Sequence, residues 1–334
     1  MDNPTATVVK NAGSHYLLSA LPQWEVFPAV LRGKVRLKGS SITNPVAVGD
    51  VVRYEIDASH SGCSPHSGCS PHSGRSPHSG LDPESPAVIT EILPRRNYVI
   101  RRSTNLSRQA HIIAANVDRA YIVVSLFFPE VKLPFLDRIL VTCELYGIPA
   151  TIVLSKTDMY RSLDADAIAH FRSIYEGAGY PVIETSVRTG EGIADIREAC
   201  KGCVNLFSGE SGVGKSSLIK ALDPSLDPKI GAISSAHLQG KHTTSLYEMY
   251  PLASGGYVID SPGIRGFGLV DVEKEEIARY FPEMLRAAAG CRFTPCTHTH
   301  EPGCAVKAAV DAGEISVERY NSYLGMLEED KKFR

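Results

Sequence analysis

Gly209-Glu210-Ser211-Gly212-Val213-Gly214-Lys215-Ser216 is a glycine loop ending in Lys-Ser, and its flanks decide the fold. Residues 204–208 before it are apolar enough for a buried strand, and residues 216–222 after it suit a short helix. Strand, glycine loop and helix in that order form a phosphate cradle. Glycines keep Cβ atoms out of the way, so successive backbone N–H groups can wrap an anion, and the helix N-terminus adds a favourable dipole. The expected nucleotide contacts are Gly209, Glu210, Ser211, Gly212, Val213, Gly214, Lys215, Ser216 and Ser217. Lys215 is assigned to the β- and γ-phosphates and Ser216 to Mg²⁺. A Gly-rich surface turn is the competing reading, and it leaves the flanking strand and helix unexplained.

Outward from this loop, Ser155-Lys156-Thr157-Asp158 follows the apolar run 150–154, where a base-reading loop belongs. A carboxylate can accept hydrogen bonds from both N1–H and the exocyclic amine of guanine. Adenine offers no such donor pair and would leave the carboxylate unpaired. Asp158 is therefore the expected reader, with the stem of Lys156 over the base, against the rival of an ATP-dependent P-loop protein. Thr185-Ser186-Val187 follows the run 181–184 and suits the companion loop, with Ser186 in the site. Gly240-Lys241-His242-Thr243-Thr244 offers a switch threonine for Mg²⁺, Thr244 in preference to Thr243. Asp260-Ser261-Pro262-Gly263 follows the strand 257–259. Asp260 is expected to hold Mg²⁺ through water, and the Gly263 N–H to sense the γ-phosphate.

The motif order is permuted. Ordinary GTPases carry the P-loop first and the base reader late; here 155–158 and 185–187 precede 209–216, and the switch motifs follow. Relocated termini at the surface are compatible with one and the same sheet. After the Asp-x-x-Gly motif, where Ras-like enzymes place a glutamine, stands Ile264. An aliphatic group cannot orient water, so slow intrinsic turnover is expected, accelerated by a partner. His242 is the candidate catalytic substitute, and Arg265 is read as a surface residue. Ile264 also keeps open a non-hydrolysing, RNA-binding nucleotide switch.

The rest of the chain frames this domain. At 334 residues, two or three domains are expected. Net charge of −2 gives no molecule-wide pull towards nucleic acid or membrane. No long apolar run and no signal-like N-terminus is read, so a cytoplasmic chain without membrane contact is expected, its eight cysteines thiols or metal ligands rather than disulfides. Residues 1–15 read as a flexible tail and 16–102 as short strands of an OB-fold barrel, including 25–30, 33–37, 48–54 and 87–92. Within the barrel, His60 to Gly80 is a hexapeptide repeat too rich in Pro, Gly and Ser to build a core. Its histidines and its Cys63 and Cys69 are read as inert rather than as a metal site. The stretch from Ile92 to Val117 holds five arginines (Arg95, Arg96, Arg101, Arg102, Arg108) and no acidic residue, which suits RNA phosphates. Residues 103–272 read as the α/β P-loop domain and 273–334 as a helical domain. That last region contains Cys291, Cys296 and Cys304 with His298 or His300, a complete set for a closed tetrahedral Zn²⁺ site.

The barrel, the permuted motifs, Gly-Lys-His-Thr-Thr and Cys-x4-Cys-x-His-x5-Cys together resemble the RsgA (YjeQ) family of small-ribosomal-subunit biogenesis GTPases, from about residue 16 to the end. The resemblance implies an OB-fold, a circularly permuted GTPase domain and a zinc domain. It also implies hydrolysis of GTP to GDP stimulated by the small (30S) subunit and its 16S rRNA, and late subunit maturation; a monomeric chain is expected. It places Zn²⁺ on Cys291, Cys296, His298 and Cys304 and supports His242 in catalysis. Ser155 departs from the usual Asn, which would weaken a bridge to the P-loop, and Ser261 from the usual Thr. The repeat is not a family feature.

Overall fold

In the computed structural model, which describes residues 3–13, 15–32, 46–56, 86–102, 110–226, 247–261 and 272–329, period-2 alternation closes an N-terminal barrel. Its strands are β1 (Thr5–Ala12), β2 (His15–Ala20), β3 (Glu25–Leu31), β4 (Val51–Glu55) and β5 (Ala87–Ile92). The order is β1-β2-β3-β5-β4, and β4 returns to pair with β1, which leaves no free edge. Inward-facing Ala6, Val8, Tyr16, Leu18, Phe27, Val52, Tyr54 and Ile89 form the barrel core. The flexible tail expected over 1–15 is thus corrected. Thr5-Ala6-Thr7-Val8 alternates, and Ala6 and Val8 are buried in the barrel. The strand expected over 33–37 and the repeat lie outside the described residues.

A hairpin of β6 (Tyr98–Arg102) and β7 (Ala110–Ala115) follows, so the domain boundary expected at 102 falls inside a paired unit. The second domain is built on β8 (Arg119–Val124), β9 (Ala150–Leu154), β10 (Val182–Glu184), β11 (Val204–Gly209), β12 (Glu248–Pro251) and β13 (Tyr257–Asp260). Their order is β10-β9-β8-β11-β13-β12, parallel throughout except for β12. Both faces are covered, which is why β8 reads as unbroken apolar sequence. Ile122 and Val124 pack towards α1 (Leu133–Leu145) and α3 (Ala165–Ala178). Tyr121 and Val123 pack towards α4 (Ile193–Ala199) and α5 (Lys215–Leu222). The barrel joins this sheet through Lys10, which pairs with Glu248 in register and by a 3.0 Å ion pair. A β-bulge between Val8 and Lys10 turns Val9 into the core of the second domain.

The C-terminal part comprises a 3-10 helix (Lys274–Tyr280), α6 (Pro282–Ala288), α7 (Ala305–Asp311) and α8 (Val317–Glu329). Ile277, Phe281, Met284, Tyr323 and Met326 form its core, and Val141 of α1 reaches into it. No helix among the described residues is long and apolar enough to cross a membrane.

Candidate functional site

The glycine loop leaves the C-terminal end of β11 and enters α5 at Lys215, as the strand–loop–helix pattern requires. Gly212 and Gly214 adopt φ of +85° and +98°, the left-handed region that L side chains resist. A Cβ on Gly209 would lie 2.4 Å from the Val123 carbonyl oxygen, so the close strand contact also demands glycine. Lys215 is buried and ion-paired to Asp260, the last residue of β13, which stands opposite Phe207 in the sheet register. Ser261 then donates from its N–H and its hydroxyl to the Phe207 carbonyl, at 3.2 and 2.8 Å, fixing Asp260 and Ser261 against the strand that enters the glycine loop. Ser216 sits beside Lys215 in the first turn of α5, so two hard oxygen groups, Ser216 and Asp260, stand beside the cradle.

The loop 155–158, expected to read the base, closes on this cradle. Ser155 Oγ lies 2.5 Å from the Val213 carbonyl and 2.9 Å from that of Val124, its single proton serving one at a time. The bridge to the P-loop that Ser155 was expected to weaken is therefore made by its hydroxyl. Lys156 has φ +62° and donates from Nζ to the carbonyls of Gly212 and Phe128, both at 2.6 Å, so its stem spans the two loops. Thr157 ties the loop to its companion, its N–H and Oγ1 each 3.2 Å from the Thr185 carbonyl. Asp158, at the start of the one-turn α2 (Thr157–Tyr160), accepts from Ser186 Oγ at 2.6 Å and from Arg188 Nε at 2.7 Å. The Ser186 hydrogen bond, with Arg188 adding to it, holds the Asp158 carboxyl below its ordinary range despite burial. Arg188 was missed by sequence reading. Its signal was a cation two residues after the companion serine.

A second cluster lies over α7 and α8. The donor atoms of Cys291, Cys296, His298 and Cys304 all lie within 4.8 Å of one another and could hold a metal ion. His298 Nδ1 is 3.6 Å from Cys291 Sγ and 3.4 Å from Cys304 Sγ, and those two sulfurs are 3.9 Å apart. His300 instead bonds Thr299 from an exposed position. The Cys304 sulfur caps α7, accepting from the Lys307 N–H at 3.5 Å. Tyr320 and Tyr323 donate to the His298 and Thr297 carbonyls at 2.6 Å and hold the Cys/His loop to α8. Glu301 clamps the same loop. Burial would raise its carboxyl, but Thr297 Oγ1 and the N–H groups of Thr297 and Thr299 donate to it and bring it down to about 2.

Comparison with known proteins matches residues 92–270 to the RsgA GTPase family model. The chain belongs to the RsgA family. The small ribosomal subunit biogenesis GTPase RsgA of Bacteroides fragilis YCH46 is 44% identical over 329 residues, covering 98% of each chain. That of Porphyromonas gingivalis ATCC 33277 is 43% identical over 330 residues, covering 98% of this chain and 97% of its own. Among solved structures, YjeQ from Thermotoga maritima superposes with a TM-score of 0.73 at 30% identity over 98% of both chains. YloQ, a circularly permuted GTPase, gives 0.69 at 26% identity over 99% of this chain and 96% of its own. The RsgA-family chain is accordingly a circularly permuted GTPase, a hydrolase. Its His242, Thr243, Thr244, Gly263, Ile264, Arg265 and Arg108 lie outside the described residues.

The basic segment of this RsgA-family chain is corrected in part. Arg95 binds the buried Asp50 carboxylate at 2.6 and 2.7 Å, and Arg96 pairs with Asp118 at 2.7 Å. Both acids lie outside the 92–117 window, Asp118 by one residue, so the segment looked unopposed in sequence. Cys143 is buried in α1, and Cys200 is buried ahead of β11.

Proposed function

We propose that this chain hydrolyses GTP on the small ribosomal subunit, in late 30S maturation and in the cytoplasm, with the barrel contacting 16S rRNA. The observation that carries the nucleotide reading is the clasp of Ser155 and Lys156 on the carbonyls of Val213 and Gly212. It sets the loop bearing Asp158 against the loop bearing Lys215, although 57 residues separate them in the chain (215 minus 158). Asp158 reads the base, Ser186 orients it, and the N–H groups of Gly209 to Ser217 bind the phosphates. Lys215 and Asp260, paired to each other in this structure, are the groups that would serve a bound magnesium nucleotide, the ammonium at its phosphates and the carboxylate at the ion's water shell. Mg²⁺ would supply charge neutralisation at the phosphates, with Ser216 and Thr244 offering hard oxygen ligands and Asp260 acting through water. Gly263 contacts the γ-phosphate, and His242 is the polar group available for orienting water where Ile264 cannot.

The Cys/His cluster suits one structural Zn²⁺. Zinc–sulfur bonds of about 2.3 Å and zinc–nitrogen bonds of about 2.0–2.1 Å define a tetrahedron with edges of about 3.8 Å (S–S) and about 3.5 Å (S–N). The distances of 3.9, 3.6 and 3.4 Å match those edges. The relatives' names support the ribosomal assignment. The closed barrel is of the kind that binds oligonucleotides. With Arg95 and Arg96 tied internally, rRNA contact falls to other groups of that region. Multiple-turnover phosphate release is expected to be slow alone and at least about tenfold faster with purified small subunits. Absence of release in both conditions would favour the non-hydrolysing switch, and equal competition by ATP would defeat the guanine assignment.

A further inference from the structure

We propose that Arg188 is a positioning residue for guanine recognition: its guanidinium fixes the plane of the Asp158 carboxylate that reads the base. The inference rests on the reading of Asp158 given above. Guanine presents N1–H and the exocyclic amine side by side, so both carboxylate oxygens must lie in the plane of the base to receive them. The terminal torsion of an aspartate is soft, with broad wells. One tether leaves the carboxylate free to swing; two tethers, one on each oxygen, fix its plane. Ser186 Oγ takes Oδ1 at 2.6 Å and Arg188 Nε takes Oδ2 at 2.7 Å. Each oxygen keeps a further acceptor site for the base.

The loop that carries Arg188 is built to deliver it. Ser186 N–H donates to the Glu191 carbonyl at 3.1 Å, and Gly190 N–H to the Ser186 carbonyl at 2.9 Å. Gly192 backs onto the Glu184 carbonyl, where a Cβ would lie 2.2 Å away. The Thr189 N–H donates into Ser186 Oγ at 3.2 Å, which leaves that hydroxyl's proton for Asp158. Arg188 is 76% exposed, whereas the Asp158 side chain is 10% exposed. A solvated arginine thus reaches from a closed turn onto a largely shielded carboxylate. The lowered Asp158 carboxyl pKa is consistent with both tethers acting on the ionised form.

Inosine nucleotides lack the exocyclic amine and ask for one carboxylate oxygen only. They separate positioning of Asp158 from any general effect of a nearby cation. Affinities for GDP and IDP, measured by calorimetry on the full chain, are expected to diverge in Arg188→Ala. GDP should weaken about 5- to 10-fold and IDP less than about twofold. Arg188→Lys should recover part of the loss for GDP. Equal weakening of GDP and IDP would assign Arg188 to packing or general electrostatics and overturn the proposal, as would unchanged or tighter GDP binding. Asp158→Ala serves as the control. If it leaves GDP affinity intact, the base-reading assignment itself fails and takes this inference with it. If it weakens GDP while Arg188→Ala does not, only the role of Arg188 is lost. The exposed position makes Arg188→Ala compatible with folding, which an unchanged melting temperature verifies.

Discussion

At the scale of single residues, the nucleotide site depends on short polar groups joining loops that are distant in sequence. Ser155 is the clearest case. Its hydroxyl is buried between the Val124 and Val213 carbonyls, so the base loop and the P-loop share one proton donor. Ser155→Ala removes this donor from the buried Val213 carbonyl, a loss of about 1–2 kcal/mol. The expected result is a lower denaturation midpoint together with GDP binding weaker by about 5- to 10-fold. Parallel denaturant and nucleotide titrations check it, and a stability loss with unchanged GDP affinity would show that the bridge serves only the fold. The strand–loop placement of Asp158 and Lys215 and the gathering of the Cys/His cluster were legible in the sequence because they are local, with fixed spacing next to a strand or a turn. The serine's bridge was not legible. Its worth depends on a carbonyl 58 residues away, and the sequence argued only from what an Asn would have offered.

At the scale of elements, a buried cation ties the C-terminal helices to α1 of the GTPase domain. Arg319 of α8 binds Asp137 of α1 at 2.7 Å and Glu283 of α6 at 2.8 and 3.2 Å. Its guanidinium also lies over the Phe281 ring, 4.6 Å from the centroid. Residues 137 and 319 are 182 apart in the chain, and no periodicity or motif could have paired them. Arg319→Met leaves two buried acids uncompensated and is expected to cost about 3–5 kcal/mol. The pH dependence has a definite sign. Burial raises the Asp137 carboxyl above its ordinary 3.8, with Arg319 opposing that rise. Between 3.8 and the raised folded value the unfolded chain ionises first, so this group's effect on stability turns increasingly unfavourable as pH rises through that window. Loss of the guanidinium pushes the folded value higher and widens the window. The melting-temperature deficit of Arg319→Met should therefore be smaller at pH 5 than at pH 8. A deficit that grows on acidification would mean that Asp137 is not the group left stranded.

At the scale of the whole molecule, permutation changes what the Cys/His cluster can do. The chain leaves β13 at Asp260, beside the P-loop lysine, and continues into the C-terminal helices instead of returning through a base-reading domain. That order could be read from the motifs alone, as could the barrel and the cluster. The sequence did not show that β1 links the barrel to the GTPase sheet, because its partners β4 and β12 lie far along the chain. The C-terminal core, with Phe281, Met284, Tyr323 and Met326 packed on Val141, is small for its length, and the Cys/His loop closes over it through Cys304 and the Tyr320 and Tyr323 hydroxyls. A metal held by this cluster would supply folding energy to so small a domain. Chelation at neutral pH, or Cys291→Ser, is expected to open this region while the sheet from β8 to β13 persists. Amide hydrogen exchange should rise across residues 281–329 and stay slow in β8, β9 and β11. GDP affinity should stay within about twofold of the parent, because no described nucleotide-site residue lies in the opened part. Stimulation by small subunits should fall, since the domain that follows the Asp-Ser-Pro-Gly segment would no longer present one surface. Unchanged exchange in these helices after verified metal loss would show that apolar packing on α1 alone holds them, and the cluster would then need another role.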